Sequence, residues 1–205
     1  MISKFLSVLE NINLNAPYKS LVICGIITMT IILSVIIIGT IIDKIEFLQI
    51  RLLTKAFNER TACLIANRFT FIGTIIHEYS HALFATMTGA KVTEIKCFDI
   101  GKGDQLGHCT FYTQGTKLQQ MMQLTISACA PVIMGFIINA ILITYVLPLN
   151  LDIGVRIFVW YCIISIADHM TMSPADIKNY CRGLVMLLPL LFAIIWVIRV
   201  LLSKA

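Results

Sequence analysis

Charged side chains are scarce in this chain: they make up 13% of its 205 residues, where a water-soluble domain carries about a quarter. That shortage leaves no room for a polar head domain. With 58% hydrophobic residues and a mean hydropathy of +0.87, the composition is that of a polytopic membrane protein. The net charge of +5 suits loops that face anionic lipid and gives no reason to expect nucleic acid as a partner. The seven cysteines include no C-x-x-C pair, and Cys24, Cys129 and Cys162 sit in apolar runs, so they read as small buried hydrophobes. Cys97 and Cys109 flank an expected hairpin turn where they can face each other across strands, and are expected to be free thiols if that loop is cytoplasmic. No small-residue cleavage site precedes the first apolar run, so no cleaved signal peptide is expected. There is no internal repeat, low-complexity segment or second domain.

What is present is a series of long apolar runs, each near the roughly 20 residues a bilayer core requires. The pattern predicts an all-α polytopic membrane protein of about five transmembrane helices with a small membrane-surface β-hairpin, residues 1–205 forming one membrane-embedded domain. The spans fall at about 20–42, 69–88, 124–147, 157–172 and 184–202, the third interrupted near its start by Pro131. Between the first two, Asp43 to Arg68 mixes apolar and charged residues, like a helix at the interface or a solvated helical connector. Residues 91–113 alternate with period two around Gly101-Lys102-Gly103-Asp104, which predicts the hairpin. Basic residues divide evenly between the two sides, so charge alone does not orient the chain.

His77-Glu78-Tyr79-Ser80-His81 is an H-E-x-x-H motif inside the second apolar run. Histidines four residues apart on a helix project from one face, so both imidazoles can share one Zn²⁺ while Glu78 stands where it can deprotonate water. The bland alternative, two histidines bonded to neighbouring backbone, must also explain a carboxylate deep in hydrocarbon.

A catalytic zinc needs a third protein ligand. Phe84 and Met87 stand where the extended H-E-x-x-H-x-x-G-x-x-H pattern needs Gly and His, and Glu94 is the only glutamate after the motif. Asp99, Asp104, His108 and Asp152 read as solvated turn and loop residues. That leaves Asp168, His169 and Asp176. Asp176 has a purely structural reading, because Ser173-Pro174-Ala175-Asp176 is a helix-capping sequence. Asp168 and His169 can pair with each other or with Arg182.

The segment His77 to Val92, together with Ser127-Ala128-Cys129-Ala130-Pro131 and Ser173-Pro174-Ala175-Asp176, resembles the site-2 protease family of intramembrane zinc metalloproteases. Ala130 stands where that family often has Gly, Met134 where it often has Asn, and Ile177 where it commonly has Gly. The resemblance implies a zinc endopeptidase acting on a transmembrane or membrane-proximal peptide. It implies His77, His81 and Asp176 as metal ligands and Glu78 as catalytic base. It also implies a multi-pass protein of the cell membrane with its site near the cytoplasmic face. The rival expectation is a catalytically inactive zinc-binding protein that holds a transmembrane partner. Substrate and oligomeric state are not legible in the sequence.

Overall fold

A computed structural model describes residues 16–97 and 107–202. Helix α1 runs Ala16–Leu53, α2 Glu59–Phe69 and α3 Phe71–Met87. Strands β1, Lys91–Lys96, and β2, His108–Tyr112, follow. Then come α4, Lys117–Ala128, and α5, Ala130–Ile141, which continues as a π-helical turn over Leu142–Val146. Helices α6, Ile153–Asp168, and α7, Pro174–Leu202, complete the described chain. Contacts divide it into two compact units, Met1–Ser34 with Leu184–Ala205, and Val35–Gly183. In the first, Gly25 of α1 faces the Phe192 ring of α7. The second contains the motif and everything described below.

Helices α1 and α7 are long and apolar enough to cross a bilayer, over Tyr18–Leu53 and Pro174–Leu202. Helix α4 and the α5 stretch to Val146, bent by 44° at their junction, make a third crossing if counted as one span. Five spans are therefore not reached by length and composition alone. The spans expected at 69–88 and 157–172 fold as helices of 17 and 16 residues, short of the roughly 20 a crossing needs.

Local chemistry explains where the elements begin and end. The expected interfacial helix is split: Asp43 to Leu53 continues α1, and Asn58 starts α2 by accepting the Thr61 N–H at 2.8 Å. A capping box between Thr116 and Gln119 starts α4. Pro131 stands in the first turn of α5, and the break falls at Cys129. Helix α6 ends at Asp168, earlier than Met172, and α7 begins at Pro174 rather than near Leu184. Pro174 keeps Ser173 out of a helix and, as the capping sequence indicated, starts the next one.

Helix α3 is the hub of its unit, packed against α4, α5, α6 and both strands. Its buried residues include Gly73, Thr74, Ser80, Ala82 and Ala85, small side chains that let neighbouring backbones come close. The Gly73 N–H donates to Ser165 Oγ of α6 at 2.8 Å, and a Cβ on Gly73 would collide with the Ser165 carbonyl. Gly89, at φ +89°, ends the helix in the left-handed conformation that glycine adopts without strain.

The strands pair antiparallel, Lys91 opposite Tyr112 and Lys96 opposite His108, with an irregularity between Val92 and Glu94. The expected turn at Gly101 to Asp104 lies outside the described residues. Gln123 of α4, almost fully buried, anchors the hairpin's exit: Oε1 accepts the Gln114 N–H, while Nε2 donates to the carbonyls of Gln114 and Thr88. Thr88 follows α3, so one amide ties the hairpin to the motif helix.

Overpacking at the tightest helix contact tests this arrangement. Gly73→Ala should destabilise the detergent-solubilised protein by about 1–3 kcal/mol, the usual cost of forcing a methyl into a filled interface. The readout is its thermal unfolding midpoint. An unchanged midpoint would contradict the close α3–α6 approach.

Candidate metal centre

One turn of α3 separates His77 from His81, and both line a cavity of about 250 Å³ together with Glu78 and Asp176. The imidazoles are held from behind. His77 Nδ1 donates to the His169 carbonyl and His81 Nδ1 to the Ser127 carbonyl, each at 2.8 Å. A carbonyl oxygen only accepts, so each Nδ1 carries its ring's proton and each Nε2 presents a lone pair. The two Nε2 atoms lie 3.1 Å apart, with the rings edge to face at 72°. Two bare acceptors at that separation repel, and a cation shared between them turns the repulsion into binding.

The two carbonyls are available because helices end there. Within α4–α5 the Ser127 carbonyl would bond the N–H four residues on, and that residue is Pro131, which has none. His169 caps the C-terminus of α6, where carbonyls lack intrahelical partners. Both helix ends also direct the negative end of their dipoles towards the histidine pair, which favours a cation. Ser127 returns the bond, its Oγ donating to the His81 carbonyl at 3.1 Å.

Asp176 stands in the first turn of α7 in a reciprocal cap with Ser173. Its Oδ2 accepts from the Ser173 N–H at 3.1 Å and from Ser173 Oγ at 2.6 Å, and its own N–H donates back to that Oγ at 3.1 Å. The helix-capping reading of the sequence is thus realised, in a residue that also lines the histidine cavity. Oδ1 has no hydrogen bond among the described residues. Asp168 and His169 do not line the cavity. Asp168 Oδ1 accepts from Gln49 at 2.8 Å, and the His169 ring spans Thr74 Oγ1 at 2.9 Å and the Ser165 carbonyl at 3.2 Å.

The donors fit zinc in part. Two tautomerically fixed imidazoles with convergent Nε2 atoms are what a zinc pair requires. Among the described residues, no three His, Cys, Asp or Glu side chains gather closely enough to form a complete metal cluster.

The hairpin forms another wall. A Cβ on Gly107 would come within 2.9 Å of Glu78 Cγ and 3.0 Å of Oε1, so the chain entering β2 rests directly against the buried Glu78 side chain. His108, expected beside the turn at the start of the second strand, is the first residue of β2; it lines the cavity and lies 3.6 Å from Glu94. Cys97 and Cys109 are free thiols. Burial pushes the Cys109 thiol up to about 11, with Glu78 and Cys97 adding to the shift, and burial followed by Glu78 raises Cys97 as well. The Lys96 hydrogen bond to Glu94, at 2.9 Å, holds that carboxyl below its ordinary range. Sequence reading missed Gly107, Cys109 and Asn179, all lining the cavity. For Asn179 the signal was present, three residues beyond Asp176 on the same helix face.

The model of M50B-like peptidases matches residues 52–202, and the chain belongs to this site-2 protease family. Members are membrane metalloproteases, generally zinc-dependent. No curated protein and no solved structure gives a significant match.

The break at Pro131 should matter to the metal. Pro131→Ala returns an N–H that competes for the Ser127 carbonyl and loosens His81. Zinc affinity should fall about 10- to 100-fold, the usual effect of losing a ligand's supporting bond. Competition titration against a chelator measures it, and wild-type affinity would remove Pro131 from the account.

Proposed function

We propose that this protein is an intramembrane zinc endopeptidase that hydrolyses peptide bonds of a transmembrane or membrane-proximal substrate. The observation that carries the reading is the pair of Nε2 lone pairs 3.1 Å apart, each fixed by an Nδ1–H bond to a helix-end carbonyl. His77, His81 and Asp176 are the metal ligands. When bound, Zn²⁺ supplies Lewis acidity that polarises the peptide carbonyl and acidifies water. Glu78 is the general base: its carboxylate takes a proton from the water that attacks the carbonyl carbon, then passes it to the amine as the C–N bond breaks.

In this reading the chain crosses the membrane five times. The short α3 and α6 cross within the bundle, where buried polar groups are satisfied by neighbouring helices. The site lies near the cytoplasmic face of the cell membrane, with the hairpin on that side. A helical substrate hides its carbonyls in its own hydrogen bonds, so it unwinds locally before attack, and the strand edges of the hairpin offer an extended peptide hydrogen-bonding partners. The alternative is an inactive zinc-binding protein that holds a transmembrane partner. One observation favours it: the Asp176 carboxylate is engaged by Ser173, and no complete three-residue cluster is present among the described residues.

Role separation decides between them. Purified wild type should hold about one zinc per chain, and His77→Ala or His81→Ala should lose most of it. Glu78→Gln should keep the zinc and lose at least ~10²-fold in peptide cleavage. Full zinc in both histidine variants would sink the metal assignment, and a fully active Glu78→Gln protein would sink the general base.

Asp176 separates capping from coordination. Asn preserves a capping acceptor, so a purely structural Asp176→Asn change costs about 1 kcal/mol or less and leaves zinc in place. As a ligand, Asp176→Asn lowers zinc content and activity together, while Asp168→Asn and His169→Ala retain the metal. A metallated, active Asp176→Asn alongside a zinc-free Asp168→Asn would transfer the ligand to α6.

A further inference from the structure

Leaving aside the two Nε2 lone pairs, the Glu78 carboxyl, Asp176 Oδ1 and the Cys109 thiol, the side-chain polar groups around the cavity are committed. The two Nδ1 atoms bond carbonyls, Ser127 Oγ bonds the His81 carbonyl, and Ser173 Oγ and Asp176 Oδ2 bond each other. Asn179 is the exception. It is half-buried and lines the cavity one turn beyond Asp176, and its side-chain amide makes no hydrogen bond among the described residues. Its backbone is fixed nevertheless: the Asn179 carbonyl accepts from Thr125 Oγ1 of α4 at 3.2 Å, and Gly183 one turn later admits the Thr125 side chain against α7. A positioned, half-buried amide whose donor and acceptor have no partner among the described residues is free to take up a ligand in the cavity.

We propose that Asn179 binds the backbone of the unwound substrate. This rests on the endopeptidase reading and names how that site recognises its peptide. A peptide unit offers one C=O acceptor and one N–H donor, and an asparagine amide is its complement: Nδ2–H donates to the C=O while Oδ1 accepts the N–H. Among the described cavity residues Asn179 is the only side-chain amide. An apolar transmembrane segment has few side-chain handles. Once locally unwound at membrane depth, its backbone groups have no water to satisfy them. The ligand is therefore an extended apolar peptide, gripped at a residue beside the bond that is cut. Asn179 is a positioning residue: it holds the neighbouring peptide unit while Glu78 handles the proton.

The test is a double-mutant cycle between Asn179 and the substrate backbone. A pool of synthetic apolar transmembrane peptides is incubated with zinc-loaded protein, and one that wild type cuts is chosen by mass spectrometry. That peptide is remade with single amide-to-ester replacements, each deleting one backbone N–H. Asn179→Leu should raise KM about 10- to 100-fold, as expected for losing a buried hydrogen-bonding partner, with zinc content and melting temperature unchanged. At one ester position wild type should lose a similar factor, and Asn179→Leu should lose nothing further. Wild-type KM in Asn179→Leu, or additive losses at every ester position, overturns the proposal. If Asn179→Leu sheds zinc or melts early, Asn179→Asp replaces it. That variant lacks the Nδ2 donor and should raise KM at unchanged zinc; a wild-type KM there overturns the proposal equally. If wild type cuts no peptide and matches Glu78→Gln, the endopeptidase reading falls and this inference with it. Cleavage that ignores Asn179 removes the inference alone.

Discussion

The centre depends on where two histidine protons go. Each Nδ1–H is given to a backbone carbonyl, which fixes the tautomer, aims the ring and leaves Nε2 bare. Backbone carbonyls inside regular helices are already used, so this arrangement needs helices that stop at the right places. The break at Cys129 and the end of α6 at Asp168 supply them, and the irregular geometry around α3 follows from that need. In a bilayer, irregular backbone is tolerable only when its freed groups find partners inside the protein. Here the histidines are among those partners.

The hairpin is bound to the same logic. Gln123 holds its exit to the end of α3, and Gly107 brings its inner edge against Glu78. The motif helix thus carries the two histidines on one face while its C-terminus anchors the strands that wall the cavity. Small residues along α3 make this possible, since larger ones would keep α6 and its His169 carbonyl at a distance.

Much of this was legible in the sequence because it obeys local rules. The H-E-x-x-H spacing placed two imidazoles on one face, alternation located the strands, and Ser173-Pro174-Ala175-Asp176 announced a cap. Other features were hidden because they depend on distant partners. Nothing local says that the Ser127 carbonyl meets His81, although Pro131 showed that it would lack an N–H. Nothing local says that the Asp168 and His169 side chains are bonded to Gln49, Thr74 and Ser165 and lie outside the cavity that Asp176 lines. The end of α6 was placed near Met172, four residues late, because apolar residues continue beyond Asp168 up to the break at Ser173-Pro174, whereas the start of α7 at Pro174 was already given by its capping sequence.

The cap that Asp176 shares with Ser173 also sets where this centre is weakest. First turns are the cheapest parts of a helix to open, being tied to the rest by few hydrogen bonds. Asp176 rides on the first turn of α7, so local fraying there withdraws its carboxylate from the cavity, while Asn179, a turn further on and tied to Thr125, and His77 and His81 on a packed helix stay in place. Amide hydrogen exchange in that turn would therefore report how often the site comes apart, long before the fold does.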